Sequence, residues 1–113
     1  MLILEKVIVF QGTYLGKHPG PIGQKMMRGF LKVLGNQSWK PKSIFFLGEA
    51  VRLLTDEFDL LELLRTLDEQ GIDLLACRAA VEDLGLDTKL KVGRISSTGV
   101  LVDLISRYEV ITM

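Results

Sequence analysis

The chain has 113 residues, with 14 Lys and Arg balanced by 14 Asp and Glu, and its 48% hydrophobic content suits one compact domain over residues 1–113 and excludes a long disordered arm. A formal net charge of zero removes the bulk attraction to nucleic acid or to an anionic bilayer, so neither is expected as a partner. Apolar runs such as Met1–Leu4 and Ser43–Leu47 end far short of bilayer length, and Met1–Leu4 runs straight into Glu5-Lys6 without the features of an export signal, so a cytoplasmic protein without a membrane span is expected.

Lys6 to Phe10 is a β-branched and aromatic run ending at Gln11-Gly12, which predicts a buried first strand. Gly12 to Gly23 holds Gly12, Gly16, Gly20 and Gly23 with Pro19 and Pro21, and is expected to be a long loop. Met26, Met27, Phe30, Leu31 and Leu34 then recur at helical spacing, which predicts an amphipathic helix stopped at Gly35-Asn36. Met26 and Met27 lie on its apolar stripe, as core or interface, and Trp39 is expected to cover the entry side of the sheet, with contact to a partner as the alternative.

Lys42 to Gly48 repeats the buried-strand pattern, and Phe58 to Gln70 predicts a second helix with Thr55 or Asp56 as its cap and Gly71 as its left-handed stop. Ile72 to Ala76 reads as a third strand with Cys77 at the turn, and Arg78 to Leu84 as a short helix closed by Gly85. Lys91 to Ile95 gives a fourth strand, Ser96 to Gly99 a cap for a helix through Val100, Leu101, Leu104 and Ile105, and Tyr108 to Ile111 a fifth strand. Such alternation predicts an α/β fold, a mainly parallel sheet with helices on both faces.

In an open parallel sheet, ligands bind beyond the carboxyl ends of the strands, which brings the turns carrying His18, Glu49, Cys77, Arg78, Ser96, Ser97 and Thr98 to one edge. Cys77 sits between a strand and a helix, where backbone N–H groups and the helix dipole favour a thiolate and Arg78 adds positive charge; the alternative is a small buried residue that closes the strand. His18, the sole histidine, is a candidate proton carrier or anion donor and otherwise a solvated side chain; Glu49 acts on a substrate or caps the turn before Ala50. Gly12 and Gly16-Lys17 enclose three residues where a phosphate-binding P-loop needs four, so a nucleotide is not expected. One cysteine and one histidine cannot form a zinc cluster, so no metal and no cofactor are expected.

Several segments carry a resemblance: Gly16 and Ile22-Gly23 leading into MMRGFL, then IFFLGEAVRLLT, the thiol turn LLACRAAVEDLGL and the stretch KLKVGRIS. In their order and spacing they resemble the DsrE/DsrF-like family, and within it the YedF-like members associated with selenium metabolism. The resemblance implies a three-layer α/β/α sandwich around a five-stranded, mainly parallel sheet, usually a homo-oligomer, and sulfur carried as a cysteine persulfide. It places Cys77 where such proteins hold their sulfur-accepting cysteine. Arg78, Ala79 and Ala80 replace the Gly, Thr and second Cys of a Cys-Gly-Thr-Cys motif, so a dithiol cycle within that motif is excluded; Ser97-Thr98 replaces an Asn-Met pair.

The function expected on these grounds is a sulfur relay or sulfurtransferase-like subunit in which Cys77 is the catalytic residue, with His18, Glu49, Arg78 and Ser97 as binding helpers. Its partners would be sulfur donor and acceptor proteins, a TusA-like chain among them. The alternative is a non-catalytic small-anion-binding module, or a regulatory or scaffold subunit, in which Cys77 only packs.

Overall fold

The segment Lys6–Phe10 forms the first strand, β1, and its four residues after Lys6 are all buried, as apolar character on both faces requires of a strand sandwiched between layers. The computed structural model describes residues 5–17 and 19–113. The strands that follow are β2 (Ser43–Phe46), β3 (Asp73–Cys77), β4 (Arg94–Ser96) and β5 (Glu109–Thr112). They join in one sheet of order β4-β3-β2-β1-β5, and every neighbouring pair is parallel.

Helix α1 covers Pro21–Gly35, α2 Leu61–Glu69, α3 Arg78–Asp83 and α4 Thr98–Arg107. Proline at the first position of α1 starts the helix inside the stretch expected to be loop, because its missing N–H is one the first turn leaves unpaired anyway. Met27, Leu31 and Leu34 of α1 are buried while Met26 is exposed, so the core stripe runs through the second methionine only. At the far end, Lys40 Nζ donates to the carbonyls of Leu34 and Gly35 at 2.9 and 3.0 Å, closing the helix where Gly35-Asn36 predicts a stop.

The second expected helix starts later than predicted. Gly48–Leu54 and Asp56–Phe58 form 3₁₀ turns, and Asp59 then turns left-handed at φ 31°, which breaks the helix before Leu61. Thr55 does cap, but it accepts from Glu57 N at 3.2 Å and so serves the 3₁₀ turn rather than α2. Strand β3 runs one residue further than expected, so that Cys77 belongs to the strand itself. Strand β4 starts three residues later than expected, after Gly93 at φ 78°.

Strand alternation sends Ile8, Phe10, Ile44, Phe46, Leu74 and Ala76 to one face and Val7, Val9, Phe45, Leu75 and Cys77 to the other. On the first face, Phe30 of α1 meets Phe10 edge-on at 6.0 Å between centroids, α1 packs on α2, and α3 packs on the 3₁₀ turn Gly48–Leu54. The steps β1 to β2, β2 to β3 and β3 to β4 all move one way across the sheet. The step from β4 to β5 returns across three strands, so a right-handed crossover puts α4 on the second face. Among the described residues no helix is long and apolar enough to cross a membrane.

Candidate functional site

Strands β3 and β4 are neighbours whose following helices leave toward opposite faces, which makes the gap between their carboxyl ends the switch point of this sheet. Two residues stand there in register, Cys77 closing β3 and Ser96 closing β4. Cys77 is at once the last residue of β3 and the residue from which α3 starts, and no side chain caps that helix. The first-turn N–H groups of α3 follow Cys77 directly along the backbone, and no side chain accepts from them. Cys77 is 9% exposed and Ser96 8%, so the pair sits just under the surface.

Ser97, on the other side of the gap, is exposed and its hydroxyl accepts from Val100 N at 3.2 Å, the N-cap bond of α4. The positive ends of two helix dipoles, α3 and α4, thus rise from adjacent strand ends. Arg78 follows Cys77 directly and is exposed. Two helix N-termini and one thiol therefore share this edge of the sheet. That arrangement can bind a small anion, or hold negative charge on sulfur while it is transferred.

The remaining sequence candidates divide. Glu49 accepts a hydrogen bond from Arg52 Nε, and Arg52 Nη1 reaches Glu57 at 3.4 Å. The hydrogen bond to Glu49, with the charges of both carboxylates, holds the Arg52 guanidinium above its ordinary pKa despite some desolvation. Glu49 thus pairs with Arg52 inside the first 3₁₀ turn, and Arg52 is the residue that bridges to Glu57 in the second. The expectation for His18 lies outside the described residues. Trp39 does stand at the amino-terminal end of the sheet, with Lys6 Nζ 5.3 Å from the centre of its ring.

One feature escaped the sequence reading, a cleft of about 420 Å³ between the start of α1 and the turn Asp56–Phe58. Lys25 and Arg28 line one wall and Glu57 and Asp59 the other, and Arg28 pairs with the Asp59 carboxylate at 3.5 Å. Its walls come from separate segments, and no local motif announces them.

Comparison with known proteins adds a family and a set of folds. The family described as DsrE/DsrF-like matches residues 13–113. No curated protein matches the chain. The crystal structure of the YchN protein from E. coli superposes with a TM-score of 0.74 at 17% identity, covering 98% of this chain and 100% of that one. A protein of unknown function from Methanobacterium thermoautotrophicum, MTH1491, gives 0.66 at 14% identity over 96% and 99% of the two chains. A conserved protein of unknown function from Bacteroides thetaiotaomicron, BT1422, gives 0.67 at 16% identity over 96% and 95%. These likenesses establish the fold, a parallel five-stranded α/β sandwich.

Proposed function

The chain belongs to the DsrE/DsrF-like family, which is linked to sulfur relay in general, and from that premise we propose that it carries sulfane sulfur as a persulfide on Cys77. The observation that supports this reading most is the position of Cys77 at the switch point, with the first-turn N–H groups of α3 beside it.

In the first step the Cys77 thiolate attacks the outer sulfur of a donor persulfide. A new S–S bond forms on Sγ as the donor's S–S bond breaks, the outer sulfur keeps its proton, and the donor leaves as a thiolate. In the second step an acceptor thiolate attacks that outer sulfur and Cys77 leaves as the thiolate. Both exchanges conserve electrons, so no external oxidant or reductant takes part. The helix N-termini and Arg78 stabilise the anionic sulfur at the start and end of the cycle. With one cysteine the chain depends on thiols of other proteins, a TusA-like donor and a separate acceptor, acting in the cytoplasm.

A second reading draws on the near burial of Cys77, which suits a packing role in a module that binds a small anion at the same edge. One experiment separates the two. The purified protein is incubated with a persulfide donor, and its intact mass is measured before and after reductant, beside Cys77→Ser. The expected result is a reducible gain of one sulfur mass that the variant lacks. A folded protein that takes up no sulfur, or a Cys77→Ser variant that still does, overturns the relay and leaves the binding module.

A further inference from the structure

Among the described residues three polar side chains are buried, those of Ser43, Thr55 and Ser96. The Thr55 hydroxyl is occupied, donating to Arg52 O at 2.7 Å and accepting from Glu57 N at 3.2 Å. Ser96 is 8% exposed, and its hydroxyl joins no hydrogen bond among the described residues. Every fully enclosed side-chain oxygen and nitrogen among those residues has a partner, so this hydroxyl keeps a narrow opening at the carboxyl edge of the sheet. Taking a hydroxyl from water without giving it a partner costs stability, and an apolar side chain at that strand end would not incur the loss.

The neighbouring strand supplies a partner. Cys77 is the register partner of Ser96, and such partners on parallel strands project to the same face of the sheet. Neighbouring strands lie about 4.8 Å apart and each polar atom extends one bond beyond its Cβ, so rotation about χ1 brings Oγ within hydrogen-bond distance of Sγ. We propose, resting on the persulfide reading of Cys77, that the Ser96 hydroxyl donates a hydrogen bond to the Cys77 sulfur whenever that sulfur is anionic, as it attacks the donor and as the acceptor displaces it.

A thiol sulfur accepts weakly and an anionic sulfur strongly, so the bond favours the charged form. The charged groups on the surrounding elements are engaged or distant. Arg94 pairs with Asp73 at 3.5 Å, and Arg107 pairs with Asp103 at 3.2 Å within α4. Glu82 and Asp83 stand in the last turn of α3, and β2 carries no charged residue. Arg78 is exposed, where solvent and salt screen its charge, whereas a hydroxyl on the adjacent strand acts at contact distance.

The test needs no sulfur donor, because the chain's single cysteine is the one thiol that can be alkylated. Alkylation of the native protein by iodoacetamide is followed by intact mass from about pH 5 to about pH 10, beside Ser96→Ala and Ser96→Thr. Ser96→Ala should move the midpoint of the profile about one unit toward alkaline pH, and Ser96→Thr, which keeps the hydroxyl, should return it. At about pH 6 Ser96→Ala should react about threefold more slowly, the tenfold rarer thiolate being partly offset by its greater nucleophilicity. A loss of packing alone lowers the urea midpoint and leaves the pH profile in place. Should Ser96→Ala misfold, the unaltered chain decides, since its Ser96 Cβ resonance should titrate at the pH of the alkylation midpoint. Equal midpoints in the native chain and a folded Ser96→Ala, a Ser96 resonance that does not follow the thiol, or a Cys77 that alkylates only on unfolding would each overturn the assignment. A chain that alkylates with the expected pH dependence yet takes up no sulfur from a persulfide donor would sink the relay and leave the hydroxyl contact standing.

Discussion

Gly93 holds the approach to β4 at φ 78°, and a Cβ there would lie 2.9 Å from the Leu74 carbonyl oxygen and 3.2 Å from the Leu74 Cβ. Both the backbone conformation and the space exclude a side chain. Gly93→Ala should therefore lose about 2–4 kcal/mol of stability, seen as a lowered urea midpoint with an unchanged slope. In the sequence this glycine falls inside the expected strand from Lys91 to Ile95; the close approach that makes it necessary comes from Leu74 of β3, earlier in the chain and on the neighbouring strand. Cys77 was legible as the reactive candidate because a lone cysteine between an apolar run and a helix start is visible in one dimension. Its alignment with Ser96 was not, since strand order is set by packing and not by spacing.

The helices show where local signals suffice and where they fail. Ser97 was readable as a cap because a serine followed by a helical pattern supplies the oxygen that the first turn needs. Ser97→Ala should cost about 1 kcal/mol, and amide exchange should rise in α4 while α1 stays unchanged, which distinguishes a local cap from a general loss of stability. By contrast, Gly48–Leu54 carries no clear period, and its four buried residues Ala50, Val51, Leu53 and Leu54 are held by contacts with β2, β3 and α3. Tertiary packing decides that segment. The same holds for the delayed start of α2, where Leu60 to Leu64 offers a strong apolar arc but the left-handed Asp59 fixes where the helix begins.

For the molecule as a whole, alternation of apolar runs and helical stripes was enough to give a parallel α/β sheet, because a strand buried on both faces leaves no polar positions to hide it. What alternation leaves open is which strand lies at the edge. Strand β2, flanked by β1 and β3 and buried at all four positions, should exchange its amides most slowly, and the three-residue edge strand β4 should exchange among the fastest in the sheet. Native-state hydrogen exchange resolved by residue measures both, and faster exchange in β2 than in β4 would contradict the order of stability drawn from this topology.

The pairing of β1 with β5 also has a consequence for synthesis. The earliest strand of the sheet finds one of its two neighbours only in the last strand, roughly a hundred residues later. At translation rates of about 5–20 residues per second, the nascent chain spends on the order of ten seconds with that side of β1 unpaired. Through that interval Val7, Ile8 and Val9 present a bare apolar ribbon beside the ribosome, a standing invitation to holdase chaperones and to neighbouring nascent chains of the same message.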